Sequence, residues 1–111
     1  MENNTYCIGN WKMNMSLKDC NAFSSKINRI IVPHELVKTI ICPPYTLINY
    51  YINNNKSPGL NVGSQDIAIM RSGSLTGEIS GEMLRDLGCN YVIVGHSERR
   101  NLLKESDESI R

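Results

Sequence analysis

Residues 91–94, Tyr-Val-Ile-Val, form an apolar run with no alternation of polar and apolar side chains, closed by Gly95, His96, Ser97 and Glu98. A strand of this kind is expected to be covered on both faces, as parallel strands flanked by helices are. The chain is thereby constrained to a layered α/β arrangement with polar groups delivered at a strand's carboxyl end. The arrangement recurs near the N-terminus, where Tyr6, Cys7 and Ile8 lead into Gly9, Asn10, Trp11 and Lys12. Two strand ends thus carry candidate chemistry: an amide and an ammonium at one, an imidazole, a hydroxyl and a carboxylate at the other.

The rest of the chain alternates strand and helix. The first strand covers residues 5–10, and a helix follows from Leu17, with Ser16 as N-cap and Leu17, Cys20, Phe23, Ile27 and Ile30 spaced along one face until Pro33. The second strand covers 37–42. The Pro43-Pro44 pair breaks it, and Pro44 opens a helix through Leu47, Ile48 and Tyr51. Residues 53–59, NNNKSPG, read as a surface connection to a third strand at 60–65. After an excursion over 66–77, Ser80 caps a helix whose Met83, Leu84 and Leu87 face inward, and Gly88 ends it with a left-handed turn. A fourth strand is expected at 90–95, and Ser106-Asp107-Glu108 begins one more helix. Four strands joined by helical crossovers predict right-handed βαβ units in a parallel sheet. Both a barrel and a doubly wound sheet fit this pattern, although GNWKMN is neither G-x-G-x-x-G nor a P-loop.

Composition narrows the functional classes. Hydrophobic residues make up 41% of the chain, enough for a core, yet no apolar stretch approaches the ~20 residues of a membrane span. The lead MENNTY has neither the basic nor the apolar region of a secretory signal, so a cytoplasmic location is expected. Twelve basic and 11 acidic side chains are interspersed, which leaves no footprint for nucleic acid, and the one dense basic spot, Arg99-Arg100, reads as a solvated or salt-bridged pair. Cys7, Cys20, Cys42 and Cys89 form no C-x-x-C pair and are read as reduced thiols. His34 reads as an exposed loop residue, and no metal site is expected.

GNWKMN at 9–14, GSLTGEIS at 73–80, GHSERR at 95–100 and ESDE at 105–108 occur in order and at natural spacing, and together they resemble the triosephosphate isomerase family. The resemblance implies a (β/α)8 TIM barrel rather than a doubly wound sheet. Such a barrel needs about 250 residues, so the 111 residues correspond to the N-terminal part, a single unit over 1–111 that stops before the later strands. In an all-parallel barrel the strand carboxyl ends share one face, where Asn10, Lys12, His96 and the loop leading to Thr76 could converge.

What the resemblance implies for function is the interconversion of dihydroxyacetone phosphate and glyceraldehyde 3-phosphate through an enediolate, without a cofactor, in glycolysis and gluconeogenesis. Lys12 would meet the substrate phosphate and the developing oxyanion, and Asn10 would donate to a substrate oxygen. His96 would act as a neutral imidazole if SERR opens a short helix, an assignment that comes with the resemblance rather than from these residues. Glu98 would support the lysine, and Ser97 would order the turn or cap the helix. The family's base is a glutamate on a later strand, and Glu78, Glu82 and Glu105 have other positions; the chain alone is therefore expected to be inactive. GSLTGEIS resembles a loop that reaches into a partner subunit, with Thr76 towards the partner's lysine, which implies a homodimer. Leu75 stands where an aromatic is common in the family, and Met15 where glycine is. The alternative is a non-catalytic half-barrel that binds phosphate or self-associates.

Overall fold

The computed structural model describes residues 3–55 and 57–111; Met1 and Glu2 of the MENNTY lead and Lys56 of the 53–59 connection lie outside the described residues. The elements are β1 (Thr5–Asn10), α1 (Leu17–Ile30), β2 (Val37–Cys42), α2 (Tyr45–Asn54), β3 (Leu60–Ser64), α3 (Gly81–Leu87), β4 (Tyr91–Val92), α4 (Ser97–Asn101) and α5 (Asp107–Ile110). The strands form one sheet in the order β1-β2-β3-β4, and every neighbouring pair is parallel. A doubly wound sheet reverses its strand order at a switch point. Unbroken sequential order is how a (β/α)8 barrel is laid down, and these elements form its first half.

Local chemistry fixes the boundaries. Ser16 caps α1 through a capping box: its hydroxyl accepts from the Asp19 N–H, and the Asp19 carboxylate accepts from the Ser16 N–H at 2.9 Å. Ser80 caps α3, and Gly88, at φ 96°, closes it in the left-handed turn that only glycine adopts without cost. Pro44 is the N-cap of α2 rather than its first helical residue, because its extended ψ of 155° places the helix start at Tyr45.

The core lies between the sheet and the helices α1, α2 and α3. Ile41 of β2 and Leu60 and Val62 of β3 pack with Cys20, Leu47, Ile48, Tyr51, Leu84 and Cys89. Trp11, immediately after β1, meets Phe23 edge-on at 5.1 Å and Tyr51 at 5.5 Å. Each such pair contributes about 0.5–1.5 kcal/mol beyond burial. The start of the loop after β1 is thereby anchored in the core.

Several expectations are corrected. The fourth strand is paired only over 91–92, not 90–95, and is not covered on both faces: Val92 and Val94 are 40% and 46% exposed. The register Ser64↔Val92 puts Val92 on the face that carries Val62, yet Val92 and Val94 lie outside the core cluster. The face of α1 is narrower than its spacing suggests. Leu17 and Ile30, at the helix ends, are exposed, whereas Cys20 and Ser24 are buried at its middle. In α3 only Leu84 is buried; Met83 and Leu87 are exposed, because this seven-residue helix meets the core along one line.

The other face of the sheet is closed locally around Gly63. A Cβ there would stand 2.7 Å from the Cys42 sulfur, 3.2 Å from Ile40 and 3.2 Å from Tyr91, so three strands approach through its missing side chain. Gly63→Ala is expected to destabilise the fold by about 1–3 kcal/mol through overpacking. The thermal midpoint of unfolding checks this, and an unchanged midpoint would show that Cys42 yields freely.

Candidate functional site

Parallel order brings the carboxyl ends of β1, β2, β3 and β4 to one face, where a cleft of about 630 Å³ is lined by Asn10, Lys12, Gln65, Asp66, His96, Glu98 and Arg99, among others. Its floor begins at β1. The Asn10 carboxamide oxygen accepts from the Lys12 N–H at 2.9 Å, an Asx-type turn that swings the chain off the strand. Lys12 itself has φ 56°, left-handed for a residue with a side chain, at a cost on the order of 1–3 kcal/mol. Met15 follows at φ 82°, which gives a physical reason for glycine at that position.

The strained lysine is held at both ends. Its Nζ donates to Glu98 Oε1 at 2.6 Å, across 86 residues of sequence, and its carbonyl accepts from Gln65 Nε2 at 2.9 Å. The Lys12 hydrogen bond, and then its charge, hold the Glu98 carboxyl below the usual carboxylate range.

His96 is the N-cap of α4, and its Nδ1 accepts from the Glu98 N–H at 3.1 Å. Glu98 Oε2 lies 3.6 Å from the same nitrogen, too far for a hydrogen bond. The backbone contact therefore decides the tautomer: Nδ1 presents its lone pair, and the ring's proton resides on Nε2 as a donor. The short helix expected of SERR is present, but its cap is His96, not Ser97.

Both arginines are committed to carboxylates. Arg99 lies between Asp66 at 3.0 Å and Glu105 at 2.9 Å, while Arg100 pairs with Asp107 and donates from Nε to the Gly95 carbonyl at 2.8 Å. Burial raises the Asp66 carboxyl above its ordinary value even though Arg99 pulls the other way. Tyr45, also in the lining, has a buried hydroxyl with no hydrogen-bond partner among the described residues, although the Ser64 hydroxyl is nearby. Burial, with the Asp66 charge adding to it, pushes the Tyr45 phenol up to about 12. Of the two basic side chains in the lining that carry a permanent charge, Arg99 is thus held by two carboxylates and Lys12 by one.

Asn10, Lys12, His96 and Glu98 are brought together as the strand-end pattern predicts. Thr76 and Ser97 do not line the cleft; Thr76 is exposed on the 66–80 connection between Gly73 and Gly77, which both take positive φ. Gln65, Tyr45 and Asp66 were not anticipated, although Gln65 ends the third predicted strand and the strand-end rule applied to the first and fourth would have flagged it. Among the described residues no group of three His, Cys, Asp or Glu could hold a metal ion, and no helix is long and apolar enough to cross a membrane.

Comparison with known proteins matches the family model described as Triosephosphate isomerase over residues 5–111. The chain is 41% identical over 103 residues to a triosephosphate isomerase of Endomicrobium trichonymphae, covering 92% of the chain and 41% of the relative. It is 41% identical over 106 residues to that of Natranaerobius thermophilus, covering 96% and 41%. With that of Idiomarina loihiensis it shares 37% identity over 110 residues, covering 99% and 44%. The chain thus spans less than half the length of these curated relatives.

A pH test follows from the ion pair. Because the folded Glu98 pKa is depressed, the stabilisation is present above the unfolded glutamate value and is lost as pH falls through the folded value. Lys12→Met should return the Glu98 titration, followed by carboxyl carbon NMR, upward to the ordinary range. A Glu98 midpoint that did not move would contradict the pairing.

Proposed function

Because this chain belongs to the triosephosphate isomerase family, we propose that it supplies the lysine and histidine half of a site that interconverts dihydroxyacetone phosphate and glyceraldehyde 3-phosphate. The observation that carries this reading is the convergence of Asn10, Lys12 and His96 from two distant strand ends on one cleft. The reaction removes a proton from one carbon, passes through an enediolate and returns a proton to the adjacent carbon. Negative charge develops on an oxygen, and preorganised donors in a confined cleft lower that barrier most. The His96 Nε2–H is such a donor, and the tautomer set by the Glu98 backbone supports this role. Lys12 contributes the compact positive charge that meets the substrate phosphate and the oxyanion, and Asn10 both holds the Lys12 backbone and offers its amide N–H to the substrate.

Glu98 and Ser97 act through their neighbours in this reading, Glu98 by orienting the ammonium and Ser97 by opening α4. The base that takes the carbon-bound proton comes from a later strand. Support for this lies in the acids that are already paired, Glu98 with Lys12 and Asp66 and Glu105 with Arg99; Glu78 also lines the cleft, but from the 66–80 connection rather than from a strand end. No cofactor is required. The complete enzyme acts in the cytoplasm, in glycolysis and gluconeogenesis, as a homodimer in which the Thr76 loop reaches the partner subunit. The exposure of residues 71–78 supports a loop available for that contact.

Two substitutions in the whole protein test the chemistry. Lys12→Met is expected to lower kcat/KM by more than about 10³-fold, and His96→Gln by about 10²-fold with measurable turnover remaining. Wild-type kcat/KM in Lys12→Met would remove the electrostatic role. For the assembly, Thr76→Arg is expected to weaken dimerisation by burying an unpaired charge. Sedimentation at low concentration reads this directly, and an undisturbed dimer would place the contact elsewhere.

A further inference from the structure

Lys12 adopts a backbone conformation that its side chain disfavours, and something outside its own loop must hold it there. The Asn10 side chain bonds the Lys12 N–H from the end of β1, two residues away, and so holds the near side of the turn. The distant partner is Gln65, immediately after β3. Its carboxamide nitrogen donates to the Lys12 carbonyl at 2.9 Å and to the Cys42 carbonyl at 2.9 Å. The amide orientation is unambiguous, because turning it over would set its oxygen against two carbonyl oxygens. Cys42 is buried at the end of β2, and its carbonyl also accepts from the Trp11 N–H at 3.1 Å. The carboxamide therefore spans the ends of β2 and β3 and clamps the residue after Trp11 to both.

We propose that Gln65 is a positioning residue for the reaction, fixing the left-handed Lys12 so that its ammonium stands in the cleft beside Glu98 and His96. A lysine is long and flexible, and without the clamp its backbone could relax to negative φ and carry Nζ away. The inference rests on the proposed isomerase reading through Lys12. Gln65 touches no reacting atom; its effect passes wholly through the lysine.

The test is a double-mutant cycle in the whole protein, with kcat/KM for dihydroxyacetone phosphate as readout. Gln65→Met keeps the side chain's length and removes both hydrogen bonds. It is expected to lower kcat/KM by about 10²-fold, the scale of a misplaced group, and to cost nothing further when added to Lys12→Met. An equal loss in both backgrounds, or no loss in either, would overturn the inference while leaving the lysine's role intact. If Lys12→Met itself cost nothing, the isomerase reading would fail and this inference with it. Should Gln65→Met not fold, the unmutated protein provides the second measurement. The Gln65 side-chain amide protons should exchange slowly with solvent and show scalar coupling across the hydrogen bond to the Lys12 carbonyl carbon; rapid exchange without coupling would overturn the clamp.

Discussion

Parallel pairing in sequence order is the constraint on which the rest of this structure depends. Each crossover helix returns the chain to the same edge, so every strand runs the same way and every carboxyl end arrives on one face. Asn10, Gln65 and His96, which belong to different βα units, meet for that reason alone. The shared core then makes the meeting rigid. Trp11 is seated between Phe23 and Tyr51, and its neighbour Lys12 is held one residue from an immobile ring system.

How much of this was legible in the sequence depended on whether a feature was local. Ser16 and Ser80 as caps, Gly88 as a left-handed stop and the break at Pro43-Pro44 are decided within a few residues, and the structure has them where the pattern put them. Burial is not local. The apolar run at 91–94 implies two covered faces, but coverage of Val92 and Val94 depends on neighbouring elements that the run itself does not specify, and both are partly exposed. The same reasoning applies to Leu17, Ile30, Met83 and Leu87, whose spacing identified a helix face without saying how far its partner extended.

The cleft was partly legible. Asn10, Lys12, His96 and Glu98 stood out as polar residues after apolar strands, and the family motifs pointed to the same four. Gln65 stands at the same kind of strand end, but its use is not local, because only the three-dimensional meeting of the Lys12 and Cys42 carbonyls gives its N–H groups partners. The Arg99-Arg100 pair reads from sequence as solvated or salt-bridged; the structure has both side chains salt-bridged, to Asp66, Glu105 and Asp107, which the sequence does not assign because Asp66 lies on another βα unit.

The 86-residue span between Lys12 and Glu98 has a kinetic consequence. Contacts between adjacent βα units close short loops, and β1 meets β2 from Thr5 to Val37 before any later strand is needed. Closing the Lys12–Glu98 loop costs more chain entropy, although each doubling of length adds only about 0.6 kcal/mol. The larger obstacle is order: the ammonium has no carboxylate to find until β2, β3 and β4 have added in register. The ion pair is therefore a late event in folding, and a chain that has its core but not yet its fourth strand would carry the lysine loop without the partner that orients it.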